Sequence, residues 1–497
     1  MKYGYTIKIN FTGGIISPGD LLKILTAAAF AGVKQVSFGL RQQLFIEVVS
    51  DDYTRLINEL QSRHITYEVD SDNHPNIISS YAAEEIFSTS TWLSEGVYRD
   101  VFDAFDYTPQ LKINISDSKQ SFTPLLTGNI NWVASTGQHF WQLFIRFPKT
   151  NCIYAWPDVV YTNDVASITK NIEYAILSGN NNFFDSNTAD GSLLYKIIMQ
   201  GATYNVKPAE GTIALPDFML PYYEGFNRVN NRFWLGIYRR DEKFSIKFLQ
   251  QACELCLATK IRQLCSTPWK SIIIKGIEEK DRHLWDAMLA RHQINVRHAA
   301  NELNFQVEDD CKDGLAIKQF LVKHLQRDDV RTFGICIGIK TRRKSEVFSS
   351  ILVRRKPLIK FLGIEFFYRY DILCAENFNP NERTGTIFSR NNFKWLLPEQ
   401  LRRAIISFYA SKEDSPGVTD KIKMQKEVPV KEAVVVQVQQ CPDCFSIYDA
   451  VVGEPENNIA AGTLFNNLPP AYCCPLCENA KDNFITITKS SLLFVAG

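Results

Sequence analysis

The sequence predicts a mixed α/β (α+β) protein with a duplicated body and a small metal-bound β module near its C-terminal end. Three observations lead there. Strand and helix signals alternate from Gly4 to about Ser80, the same alternation returns from about Arg232 onward, and five of the twelve cysteines fall within 441–477.

The opening segment GYTIKINF (4–11) alternates apolar and polar residues as a half-buried strand does. In SPGDLLKILTAAAFAG (17–32), Ser17 and Pro18 supply a cap and a first-turn proline, and Gly32 supplies a stop. VKQVSFGLRQQLFIEVV (33–49) then resumes strand character. One ungapped shift carries Leu21 onto Leu249, Leu25 onto Cys253, Ala28 onto Cys256, Val33 onto Ile261, Val36 onto Leu264, Leu44 onto Ile272 and Ile46 onto Ile274. Apolar positions coincide through one helix and the strand after it, which reads as duplication of a βαβ-type unit. The alignment also decides the pair Cys253 and Cys256. Their counterparts are plain core residues, so both are expected to be buried thiols rather than metal ligands.

Each copy is followed by a longer stretch of mixed strands and helices. The polar run SGNNNFFDSNTADG (178–191) reads as a surface loop. SKEDSPGVTDKIKMQKEVPVKEA (411–433) is charged and lacks a sustained apolar period, as linkers do. The resulting partition is a first copy (1–85), an α/β domain (86–225), a second copy (226–297), a second α/β domain (298–408), a linker (409–437) and the cysteine module (438–487).

Composition bounds the function. With 497 residues, 45% hydrophobic, 22% charged and 12% aromatic, the chain can build large cores. A net charge of +1 gives no general reason to expect nucleic acid or an anionic membrane as partner. MKYGYTIKIN lacks the pattern of a signal peptide, and no uncharged apolar run reaches the length of a membrane span, so the cytoplasm is the expected compartment. There is no P-loop, nucleophile-elbow, zincin or dinucleotide-binding motif, and the seven histidines are scattered.

Cys441/Cys444 and Cys474/Cys477 form two C-x-x-C pairs with 445–473 between them, and Cys473 is left over. Two such knuckles can converge to offer four thiolates in tetrahedral geometry, which suits zinc or iron, and spacing does not choose between them. The residues between the pairs do. Ile447-Tyr448-Asp449, Gly453-x-Pro455, Ala461-Gly462-Thr463-x-Phe465, Leu468-Pro469 before an aromatic, Cys474-Pro475-x-Cys477 and Lys481-Asp482-x-Phe484 closely resemble rubredoxin. The resemblance implies that Cys441, Cys444, Cys474 and Cys477 hold one iron, with Cys473 spare. It also implies that Tyr448, Phe465, Tyr472 and Phe484 form the small aromatic core. Where that family usually has glycine after each pair, this chain has Phe445 and Glu478, so strained positive-φ backbone is expected there. The stretch 438–487 carries six carboxylates against one lysine, a net −5 that leaves +6 for the rest of the chain.

The body resembles, more diffusely and over about 1–408, the siroheme-dependent nitrite and sulfite reductases. LLKILTAAAFAGVKQVSFGLRQQLFIEV, with Arg41-Gln42-Gln43, and QLCSTPWKS (263–271) are similar to their duplicated ferredoxin-like half-domains. LKINISD (111–117) and FNPNERTGTIFSRNNFKWLLPEQL (378–401) are similar to parts of their larger domains. The cluster motif of that family, C-x5-C followed by C-x3-C, is incomplete. Where the motif would place a second thiol after Cys311 stands Ile317, where it would place one after Cys336 stands Lys340, and Cys374 is alone. A [4Fe–4S] cluster needs four thiolates, so both the cluster and siroheme are expected to be absent. Arg41 with Arg342, Arg343 and Lys344 reads as a solvated basic face, or else as the wall of a remnant anion pocket.

The expected function is one-electron transfer by a rubredoxin-type iron tethered to a reductase-like body that meets a redox partner protein or a small anion. The alternatives are an active nitrite or sulfite reductase with its own rubredoxin donor, and a zinc-ribbon docking module.

Overall fold

The computed structural model describes residues 4–488 apart from 89–91, 149, 151, 180–182, 185–188, 202, 212–214, 343–346, 362–363, 383–384, 414–436, 444–445, 449, 451–452, 455–456, 458 and 476. It divides into two compact units, Met1–Lys412 and Glu413–Gly497.

The duplication is visible element by element. The strand Gly4–Ile9, the helix Pro18–Phe30 and the strand Leu44–Val49 recur as Arg232–Ile237, Ile246–Ala258 and Ile272–Ile277, every boundary moved by the shift that carries Leu21 onto Leu249. Local chemistry sets the first helix. Ser17 Oγ accepts from the Asp20 amide at 3.4 Å, Pro18 opens the first turn, and Gly32 at φ 78° lets the chain leave. Cys253 and Cys256 are fully buried, and burial pushes the Cys253 thiol up to about 12.

The copies are not separate half-domains. The short strand Ile15–Ile16 of the first copy leaves its own sheet and pairs with Leu264–Ser266 of the second, placing Ile16 opposite Leu264. The reciprocal exchange places Phe244 opposite Val36. The repeat shift relates these two pairings, so they describe a pseudo-twofold. Both helices and the inner faces of both sheets feed one hydrophobic core.

Two larger sheets follow the same plan as each other. In the first, Ile78–Ser79, Ile113–Ser116 and Ile130–Ala134 run parallel, and antiparallel strands Phe140–Arg146, Ile153–Tyr161 and Val206–Pro208 extend it. In the second, Phe305–Val307, Ile337–Lys340 and Ile351–Phe361 run parallel, and Ile364–Ala375 and Gly385–Asn392 close the sheet antiparallel. Ile113–Ser116 and Ile130–Ala134 are buried throughout, as parallel strands covered on both faces must be.

Three features differ from the sequence reading. Ile78–Ser79 lies within 1–85 but is hydrogen-bonded into the first large sheet, because its pairing edge decides its membership. The helix Leu397–Glu413 runs past residue 409, where the linker is expected to begin, because Ala404, Ile405 and Phe408 keep an apolar face buried. The rest of that stretch, 414–436, lies outside the described residues. In the polar run 178–191, Phe183 is buried in the main core. No described helix is long and apolar enough to cross a membrane.

Phe244 is fully buried and packs edge-on against Phe38 at 5.3 Å across the exchanged pairing. Phe244→Ala is therefore expected to cost the body about 3–5 kcal/mol, read from denaturant unfolding followed by tryptophan fluorescence. A loss below about 1 kcal/mol would show that the exchange is peripheral.

Candidate metal centre

The C-terminal unit is built on a three-stranded sheet, with Gln437–Gln440 between Ile447–Tyr448 and Ile485–Thr488. Tyr448, Leu468 and Tyr472 form its buried core, and Phe465 and Phe484 pack against them. The rings meet mostly edge-on or tilted, with Phe465 and Phe484 5.1 Å apart. Two hydroxyls at the edge of this cluster are satisfied locally. Tyr448 donates to the Thr463 carbonyl at 2.8 Å, and Tyr472 donates to Glu454 Oε1 at 2.7 Å.

Cys441, Cys474 and Cys477 bring their sulfurs within 4.8 Å of one another. Cys441 Sγ and Cys477 Sγ are 3.5 Å apart. A tetrahedral site with metal–sulfur bonds of about 2.3 Å has sulfur–sulfur edges of roughly 3.8 Å, so these thiols need to move little to close around an ion. The donor set therefore fits iron or zinc. Cys444 lies outside the described residues, as does Phe445. Cys473 is exposed, and its sulfur contacts the Ala471 carbonyl at 3.7 Å, outside the group. Among the described residues, no other group of three His, Cys, Asp or Glu side chains meets the same geometric test.

The two knuckles share a plan. The Cys441 amide donates to the Ser446 carbonyl at 2.9 Å, and the Cys474 amide donates to the Asn479 carbonyl at 2.8 Å, the same step along the chain in each case. The side chains of Ser446 and Asn479 then cross over. Ser446 Oγ lies 3.0 Å from Cys474 Sγ, and Asn479 Nδ2 donates to Cys441 Sγ at 3.7 Å. With the sulfurs as metal-bound thiolates, both side chains are donors, so each knuckle stabilises the charge of the other. Nothing in the sequence marks this crossing beyond the equal spacing of Ser446 and Asn479 from their cysteines. Glu478 takes φ 59°, the left-handed backbone expected where the resembling family has glycine, at a cost of about 1 kcal/mol.

The body's cysteines behave differently. Cys311 caps the helix Lys312–Arg327, its sulfur accepting from the Gly314 amide at 3.3 Å, and Ile317 lies buried in that helix. Cys336 Sγ accepts from the Ser350 amide at 3.1 Å. Burial pushes the thiols of Cys336 and Cys374 up to about 12, which keeps them protonated. Lys340 ends the strand Ile337–Lys340.

Arg41 is not on a solvated face. It is buried, and its guanidinium donates to the Asn76 carbonyl at 2.7 and 3.0 Å and to the Ile113 carbonyl at 2.9 Å, tying the first copy to the large sheet. Arg342 donates to the Asp309 carbonyl at 3.1 Å; Arg343 and Lys344 lie outside the described residues. A buried ionic cluster was not expected. Lys270 Nζ lies 2.7 Å from Glu242 and 3.4 Å from Asp309, and Lys318 Nζ donates to Tyr238 Oη at 2.6 Å. Desolvation draws Lys318 down to about 8. These residues are far apart in sequence, and nothing in their local patterns marks the cluster.

Hydrogen bonds to metal-bound sulfur stabilise the more negative, reduced site and so raise its potential. Ser446→Ala is expected to lower the reduction potential of a redox metal held here, and Asn479→Ala to lower it less, given its longer contact. Redox titration of the metal-loaded chain checks this; an unchanged potential in Ser446→Ala would show that the hydroxyl donates nothing to the sulfur.

The family profile named Rubredoxin matches residues 439–484. Rubredoxin-2 of Chlorobaculum tepidum is 42% identical over 48 residues, 10% of this chain and 92% of that protein. The high molecular weight rubredoxin of Moorella thermoacetica is 44% identical over 54 residues, 11% of this chain but only 24% of that protein. The anaerobic nitric oxide reductase flavorubredoxin of Salmonella paratyphi B is 36% identical over 66 residues, 14% of its length. Among solved structures, the NirA protein of Mycobacterium tuberculosis aligns over 83% of this chain and 82% of that one, with a TM-score of 0.59 and 14% identity. That likeness is one of fold. Through its C-terminal module the chain belongs to the rubredoxin family, and that module is carried on a body with the NirA fold.

Proposed function

We propose that the chain is an electron-transfer protein carrying one electron on an iron held by Cys441, Cys444, Cys474 and Cys477, with a body that serves a redox partner protein or a small anion. The observation that carries the reading is the convergence of the Cys441, Cys474 and Cys477 sulfurs within a module of rubredoxin sequence. Iron in a four-thiolate site supplies a one-electron couple without change of ligands. The chain supplies the rest. Ser446 and Asn479 offset charge on the sulfurs, and the cluster of Tyr448, Phe465, Tyr472 and Phe484 limits water around the buried Cys441 and Cys474. The net −5 of 438–487 favours a cationic partner surface.

The body, in this reading, carries no cluster-bridged siroheme. Ile317 and Lys340 stand where the resembling reductases place thiolates, and neither side chain is a cluster ligand. The rival is an active nitrite or sulfite reductase fed by its own rubredoxin, and the sequence resemblance of 1–408 to those reductases supports it. Zinc in the four-thiolate site would make the module a docking element instead.

Metal analysis and an absorption spectrum of the full chain from iron-replete cells separate the three readings. One iron per chain with thiolate-to-iron bands is expected, lost in Cys474→Ser and kept in Cys473→Ser. Zinc alone, or equal loss in both variants, overturns the iron assignment. Stoichiometric siroheme with reduction of nitrite or sulfite by a chemical donor promotes the reductase.

A further inference from the structure

A cavity of about 1230 Å³ opens within the body between the first large sheet and the second repeat copy. The strand Ile78–Ser79 runs parallel to Ile113–Ser116 and leads directly into the turn Tyr81–Ala83. Tyr81 and Glu84 thus line the cavity just beyond the carboxyl edge of a parallel sheet, where α/β proteins commonly seat ligands. Lys275, from the strand Ile272–Ile277, forms the facing wall.

Two groups there are incompletely used. Lys275 Nζ donates to the carbonyls of Tyr81 at 2.7 Å and Glu84 at 2.9 Å and lies 4.2 Å from the centre of the Tyr81 ring. It makes no ion pair among the described residues, although its surroundings are desolvated enough to lower its proton affinity. Glu84 Oε2 is buried and has no hydrogen-bond partner. Burial, followed by the charge of Asp117, raises Glu84 to about 7; Lys275 opposes the shift and Glu85 adds to it. A half-buried cation without an anionic partner and a buried carboxyl oxygen without a hydrogen-bond partner are costly to keep unless something satisfies them. Four other acids line the cavity, Glu85, Glu95, Glu278 and Asp281, and two of them are engaged by cations. Glu95 accepts from Arg99 at 2.8 Å and from Tyr81, while Glu278 pairs with Lys280 at 2.6 Å and feels Arg232 and Lys260.

The duplication provides an internal control. Under the repeat shift, Lys275 corresponds to Glu47, Lys260 to Gly32 and Arg232 to Gly4; of these basic residues only Arg262 keeps a basic counterpart, Lys34. The first copy has a smaller hollow of about 270 Å³ at the matching place, and there Glu47 is already paired with Lys243. The repeat fold therefore does not demand this cationic set. It belongs to the copy with the large cavity, beside an apolar wall of Ile86, Val229 and Ile261.

We propose that this cavity binds a small organic polyanion bearing carboxylate or phosphate groups, one of them seated between Lys275 and Glu84 and the others reaching Lys260, Arg262 and Arg232 at the mouth. Lys275 gains the anionic partner it lacks. Glu84, when protonated, donates to the same group, so binding weakens as pH rises through about 7 and Glu84 ionises beside the ligand.

Calorimetric titration of the full chain with adenosine triphosphate, citrate and inorganic phosphate tests this. One site per chain is expected for the first or the second, marking a phosphate or a carboxylate source, with inorganic phosphate much weaker. Lys275→Gln should weaken binding by about tenfold or more. Glu84→Gln should keep the affinity seen near pH 6 and abolish its decline towards about pH 8. If Lys275→Gln fails to fold, the double variant Lys260→Gly and Arg262→Ala at the mouth carries the test, since Lys260 sits at φ 59°, which glycine accepts. Absence of binding by both organic anions at millimolar concentration, or binding unchanged by these substitutions and by pH, overturns the proposal.

Discussion

The body depends on a reciprocal exchange of edge strands. Each repeat copy, taken alone, has a sheet with an unpaired edge and a helix whose apolar face needs cover, and neither can be buried by so short a unit. Pairing Ile15–Ile16 with Leu264–Ser266, and Phe244–Ser245 with Gln35–Phe38, closes both edges and makes one core of two copies. That core then holds the large sheets in place. Arg41 reaches from the first copy to the carbonyls of Asn76 and Ile113, and Lys275 reaches from the second to those of Tyr81 and Glu84. The two struts differ in their surroundings. The arginine ties one element to another inside the core, whereas the lysine does so in the wall of a cavity.

The C-terminal module obeys a different constraint. About fifty residues supply too little apolar surface for a secure core, and its aromatic cluster is correspondingly small. Metal binding then becomes part of the folding free energy. The crossed contacts from Ser446 and Asn479 join the two knuckles around the sulfurs, so that Cys474 and Cys441 are each contacted from the other knuckle. Under the proposed function the same contacts connect stability to electron transfer, because a donor that steadies a thiolate also sets its preference for the reduced metal.

Much of this was legible in the sequence. The duplication could be read because apolar spacing, a capping serine and a terminal glycine report local geometry directly, and the paired elements keep one shift throughout. For the cysteines, the sequence offers a pattern and the structure a grouping of the Cys441, Cys474 and Cys477 sulfurs. Pro475 and the pattern up to Phe484 favoured Cys474 over Cys473, and the Cys473 sulfur contacts the Ala471 carbonyl away from the group. What escaped was non-local. Whether Ile78–Ser79 belongs to one sheet or another depends on a pairing edge, not on its own residues. Arg41 looks like surface charge until the carbonyls that surround it are known. The cluster of Lys270, Glu242, Asp309 and Lys318 is assembled by the fold from distant segments, and a charged residue gives no sequence signal of burial.

The central claim is that this chain stores a single electron, and electron counting tests it most directly. Coulometric titration of the purified full chain, followed by visible absorption, should show one reversible one-electron step in which iron–thiolate bands bleach on reduction and return on oxidation. A colourless protein that takes up no electron would contradict the claim. So would uptake of several electrons per chain with tetrapyrrole bands, which would place the chemistry in the body instead.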